Sequence, residues 1–232
     1  MTTLSACQSA IARLVARKPN SVFSSDDEIC VEIAGLANEA ATDIAKAADW
    51  QALTSLKIIN GDGVTSDWPL PDDYDRMANG ADIHSGTWTY MRYVSSPTLD
   101  TWQDLKVLRP ALPPGYWTIL QGQIGFIPSI SSGQDARFYY ISNAWARSAS
   151  GTPKSAFDRD DDTFVLDERL LTLALIWRWK AMKGMDYQED IRNYDIALSQ
   201  AMSRDRGARV IRKGGAGVTG LNTHLAWPWV LG

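Results

Sequence analysis

The sequence predicts an α+β chain: an α-helical bundle formed by helices from both ends of the chain, an inserted β-rich module, and an extended C-terminal arm. Three observations predict it. Apolar residues recur at helical spacing near both ends. The middle is rich in β-branched and aromatic residues broken by glycine and proline turn signals. Past residue 206 the chain is glycine-rich, and it carries tryptophans and aliphatics from Leu225 to Leu231. The boundaries expected are 1–53 for the N-terminal helices, 54–147 for the β-rich module, 148–206 for the C-terminal helices and 207–232 for the arm.

The first helix is expected over residues 3–17, with Leu4, Ile11, Leu14 and Val15 on one face and "KPNS" as its stop. Ser25 and Glu28 have capping-box spacing for a second helix. Ile29, Ile33, Ala37, Ala40 and Ile44 stripe that helix as far as about Trp50. "TSLKIIN" then reads as a strand, and "GDG" as a tight turn. "WPLPDDYDRM" reads as a proline-stiffened loop with room for one helical turn. "TWTYMRYVSS" and "TWQDLKVL" both read as β segments. "GYWTILQGQIGFIPSI" reads as two strands about a glycine turn, and "RFYYISNAW" as the last strand. "SASGTPKSAFDRDDD" is a polar connector. Asp167 is placed to cap a helix running through "ERLLTLALIWRWKAMKG", with Gly184 just past its end. A last amphipathic helix carries Ile191, Tyr194, Leu198, Ala201 and Met202, and ends near Arg206.

Composition narrows function. A net charge of −4 does not favour gripping the DNA backbone, which needs clustered Lys and Arg, although DNA could slide past such a surface. The two cysteines, Cys7 and Cys30, lack CxxC spacing and read as buried free thiols. No signal peptide is visible and the longest apolar run is too short to span a bilayer, so a soluble cytoplasmic protein with no membrane partner is expected. Ten tryptophans point to large rigid contact surfaces.

Motifs for chemistry are weak. Asp158, Asp160 and Asp162 occupy EF-hand positions one, three and five, but Thr163 and Arg169 replace the required Gly and Glu. The favoured reading is a solvated acidic connector whose last Asp residues cap the next helix. His84 and His224 lie in different modules without a nucleophile context. "GDG" and "GGAG" lack the strand and helix of a phosphate cradle. Asp72, Asp73 and Asp75 with nearby tryptophans could mimic a glycosidase, although acids after "LP" more often cap turns. Arg178, Lys180 and Lys183 near a helix C-terminus suit the macrodipole, and their stems can cover the tryptophans. No catalytic residue, cofactor or metal ligand is expected. The one basic cluster is Arg204, Arg206, Arg209, Arg212 and Lys213, which could meet nucleic acid or an acidic partner.

The early helix ending "AADWQAL", the "WPLPDDYDRM" element, "ARFYYISNAWA" and above all "LDERLLTLALIWRWKAMKGMDYQEDIRNYDIAL" carry a resemblance. The chain resembles the head-to-tail adaptor, or connector, proteins of tailed bacteriophages. These form the ring under the portal and are similar in design to the tail tubular adaptor of short-tailed phages. The resemblance implies a twelve-copy cyclic ring in the virion neck, assembled in the host cytoplasm. It implies contacts with the portal protein and the next neck or tail protein, and a channel that DNA crosses without sequence-specific binding. It also implies an arm reaching the portal. Leu225, Trp227, Pro228, Trp229, Val230 and Leu231 are its expected anchor, and Gly214, Gly215 and Gly217 its hinge. The alternative for the arm is packing on its own β-rich module. The alternative function is a carbohydrate-binding or carbohydrate-degrading phage tail module.

Overall fold

A computed structural model describes residues 2–85, 92–96, 98–108 and 115–205. Four long helices are α1 (Thr3–Val15), α2 (Glu28–Lys46), α4 (Glu168–Met182) and α5 (Gln188–Asp205). The shorter α3 spans Leu99–Leu108. Helix α4 is the hub. It packs against α1, α2 and α5, and Leu170, Leu171, Ala174 and Leu175 are buried at 1% exposure or less. Its ends follow the sequence signals. Asp167 accepts the N–H of Arg169 at 2.9 Å. Gly184, at φ 68°, completes a Schellman turn in which Gly184 N–H reaches the Ala181 carbonyl and Met185 N–H the Lys180 carbonyl.

The strands are β1 (Thr54–Asn60), β2 (Asp67–Pro69), β3 (Tyr74–Met77), β4 (Ile83–Ser85), β5 (Arg92–Ser95), β6 (Gly115–Leu120), β7 (Gln123–Ile127), β8 (Asp135–Ser142), β9 (Ala146–Arg147), β10 (Pro153–Lys154) and β11 (Thr163–Phe164). The large sheet runs β1-β8-β4-β5-β6-β7-β2, with β3 also on β8. Its two end strands are consecutive in the chain, so the sheet curls into a nearly closed, barrel-like form. A second sheet has the order β10-β9-β11.

This corrects the expected fold class. The described residues form not a helical bundle with an inserted β module but five α-helices with two sheets. The large sheet has a core of its own, built on Ile83, Tyr93, Ile124, Phe126, Ile130 and Phe138. The helical core is not purely helical either: it takes in Ile141 at the end of β8, Trp145, Phe157 and Phe164. Trp145 and Phe157 meet edge-on with ring centroids 4.8 Å apart.

Four local expectations change as well. "WPLPDDYDRM" supplies two strands, β2 and β3, because Pro69 closes β2 at a sheet end where its missing N–H costs nothing. "TWQDLKVL" is helical. Thr98 Oγ1 accepts the N–H of Thr101 at 3.1 Å, and the buried Trp102 ties the helix to the sheet. The N-cap of α2 is Asp27 rather than Ser25, whose hydroxyl instead accepts the N–H of Asp27. The polar connector supplies β10, and β9 and β11 on either side of it complete the second sheet.

Candidate assembly surfaces

The acidic segment 158–162 is a clasp rather than a solvated connector. Asp160 accepts hydrogen bonds from Val22 N–H at 2.9 Å, Phe23 N–H at 3.1 Å and the Ser21 hydroxyl at 2.6 Å. Asp162 is fully buried. Its Oδ2 accepts Asp158 N–H, Arg159 N–H and the Lys154 ammonium at 2.7 Å, and its backbone carbonyl takes both the N–H and the hydroxyl of Thr3. Burial would push both carboxyls up, but these donors outweigh it and hold each below its ordinary value of 3.8. The Asp160 carboxylate therefore holds the loop after α1, while Asp162 holds the start of α1 through its backbone carbonyl and the local turn through Oδ2. Among the described residues, no group of three or more His, Cys, Asp or Glu is placed to hold a metal ion.

Cys7 and Cys30 are free and buried. Burial first, with Asp160 nearby, pushes the Cys7 thiol up to about 12.

At the far end of α4 the cations cover tryptophans. The Arg178 guanidinium stacks 4.9 Å from the Trp177 ring and pairs with Glu39 and Asp43. Lys183 lies 5.7 Å from the Trp179 ring and 2.6 Å from Glu32, whose other oxygen accepts the Trp179 indole N–H at 2.9 Å. Hydrogen bonding from Lys183 draws the Glu32 carboxyl down. Beside this end Val15, Val31, Met182 and Met185 stay about half exposed. A surface of methionines and aliphatics ringed by ion pairs suits contact with another chain.

Under α3 a cleft of about 450 Å³ is lined by Val64, Asp67, Trp102, Lys106, Phe126 and Pro128, among others. Gly125 lets α3 approach: a Cβ there would meet Asp67 Oδ1 at 2.7 Å and the Trp102 ring at 2.9 Å.

The outer face of the large sheet is the third apolar surface. Leu56 and Ile58 on β1 and Tyr139 on β8 are each about half exposed, and Leu56 lies directly opposite Tyr139. The inner neighbours Ile59, Phe138 and Tyr140 are buried.

Of the residues singled out in the sequence, Arg204 stands on the last turn of α5, exposed, 3.7 Å from Asp167. Arg206, Arg209, Arg212, Lys213, the hinge Gly214, Gly215 and Gly217, His224 and the anchor Leu225, Trp227, Pro228, Trp229, Val230 and Leu231 lie outside the described residues. Asp73 accepts the Tyr140 hydroxyl at 2.8 Å, and Asp75 pairs with Arg76, which also reaches Asp49. These acids are spent on joining β3, β8 and the end of α2. Asp62 of "GDG" accepts the N–H groups of Val64 and Thr65 as a turn cap. His84 sits on β4, exposed, opposite Arg137. Sequence reasoning missed the clasp, the α3 cleft and the exposed face of β1. Only the last had a legible signal, the apolar alternation of Leu56 and Ile58 with Ser55 and Lys57.

Among the described residues no helix is long and apolar enough to cross a membrane. A family model described as SU10 adaptor protein matches residues 1–219. No curated protein matches the chain.

Proposed function

The chain belongs to the SU10 adaptor family, phage structural adaptor proteins, and on that premise we propose that it forms a cyclic ring joining the portal to the next neck or tail component. The family match across 1–219 carries the reading. The apolar surface around Met182 and Met185 supports it, since the described residues leave these side chains about half exposed. A repeated heterologous contact between unlike faces closes into a ring or runs on as a filament, and a joint in a virion neck must close. Twelve copies is the number we propose. DNA crosses the ring without sequence-specific contact, as suits a chain of net charge −4. Assembly takes place in the host cytoplasm.

The arm beyond Asp205 is the proposed anchor. Gly214, Gly215 and Gly217 let it turn. Leu225, Trp227, Trp229, Val230 and Leu231 supply side chains worth about 1.5–3 kcal/mol each when fully buried in a portal cleft. Pro228 lowers the entropy lost on docking, and Arg204, Arg206, Arg209, Arg212 and Lys213 sit where they can meet an acidic neighbour. Repetition round the ring raises avidity.

Deleting residues 221–232 tests this. The shortened protein should still fold and should lose its docking to the portal. A shortened protein that unfolds, or that docks at full strength, overturns the anchor.

A further inference from the structure

The two ends of the large sheet are protected unequally. β2 is a three-residue strand ending in Pro69, a blunted edge. β1 has seven residues, no proline and an unbroken register with β8 from Thr54 opposite Ile141 to Asn60 opposite Asp135. Among the described residues no strand pairs with its other edge. The bond from Gly61 N–H to the Gln134 carbonyl extends the same register and sets its phase. Ser55, Lys57 and Ile59 therefore turn their backbone groups toward β8. Leu56, Ile58 and Asn60 aim theirs at the open edge, and these are the same residues whose side chains stand exposed on the outer face.

The described chain ends beside this edge. Asp205 accepts the Gln51 N–H at 3.0 Å through its carboxylate and the Gln51 side-chain amide at 2.6 Å through its carbonyl. Gln51 is three residues before β1. The sequence beyond Asp205 carries a strand pattern at its far end. From Thr219 to Leu231 the odd positions include Leu221, Leu225, Trp227, Trp229 and Leu231, and the even ones include Asn222, His224 and Pro228. Residues 206–218 can span about 45 Å when extended, roughly twice the length of β1, so the chain can run past the strand and return.

We propose that in the free subunit residues 219–231 add to the open edge of β1 of the same chain as an outer strand. The phase is set by Pro228, which has no N–H to give and must turn its backbone away from β1. The odd residues then face β1, and their side chains fall on the outer face beside Leu56, Ile58 and Tyr139, where the two tryptophans cover the exposed patch. Pro228 on the far side blunts the new edge against a further strand. The inference deepens the reading of the arm as an anchor, since the free subunit keeps its anchor covered until the portal takes it. The pairing with β1 stands independently of that release.

Amide hydrogen exchange of the isolated full chain, without portal, tests it. Leu56 and Ile58 amides should exchange on the order of tenfold or more slowly in the full chain than in a chain ending at Gly217, with Ser55 and Lys57 little changed. Leu56→Lys with Ile58→Lys, on the exposed face, should quench the difference and shift Trp227 and Trp229 fluorescence toward that of free tryptophan. Equal exchange in the two chains overturns the proposal. So does protection that rises with protein concentration, which would assign the edge to a second copy. A portal-docking failure with normal β1 protection would count against the anchor alone.

Discussion

At the scale of single residues, the carboxylates that look most like chemistry turn out to be structural. Asp160 holds two backbone N–H groups, and Asp162 is buried against Lys154. Replacing Asp160 by Ala orphans those donors and should cost about 1–3 kcal/mol, read by chemical denaturation. Both carboxyls sit below 3.8 in the folded state. Their stabilisation is therefore complete above that value and is lost as pH falls through the lower folded-state values. Wild-type thermal stability should drop as the pH is taken below the ordinary carboxylate value of 3.8, and Asp160→Asn should flatten that drop. An unchanged pH profile in the variant would assign the acid sensitivity elsewhere. Calorimetric titration with calcium should give no saturable heat, because both Asp160 oxygens and Asp162 Oδ2 are engaged by protein donors and the Gly and Glu of a calcium loop are replaced by Thr163 and Arg169. The sequence could not show this: Val22 and Phe23 are more than 130 residues from Asp160.

At the scale of elements, legibility followed local signals. Helix α4 could be read end to end because Asp167 and Gly184 mark its ends and leucines fill its faces. Gly184→Ala should lower stability by about 1 kcal/mol, since a left-handed φ of 68° is costly for alanine. Helix α3 was misread because ten residues rich in Trp, Leu and Val carry no clear period, and the Thr98 cap was the only cue. β2 and β3 hid behind Pro69 and Pro71, which read as loop until a sheet edge accommodates them. The two-residue strands β9 to β11 exist only through pairing with one another, which no local pattern encodes. Because α3 is tied down by a fully buried tryptophan, Trp102→Ala should cost about 3–5 kcal/mol and loosen the cleft, measurable by urea unfolding. Gly125→Ala should also weaken this contact, since its Cβ would collide with Trp102 and Asp67.

At the scale of the whole molecule, the helical spacing showed the four long helices but not that the sheet would build a second, smaller core of its own. Alternation in β1 and β8 gave two strands, while their long-range partners close the sheet. Of the proposed assembly surfaces, the arm was visible in sequence because tryptophans after glycines are a compositional break. The patch at Met182 and Met185 was not, because their exposure depends on how α1, α2 and α4 end together. The central claim is that this adaptor works as a closed ring on the portal. The most direct test is the native mass of the complex that purified chain forms with its portal. The account predicts many copies of the chain in one closed ring per portal, twelve by the proposal. A complex holding a single copy or a compact dimer would contradict it.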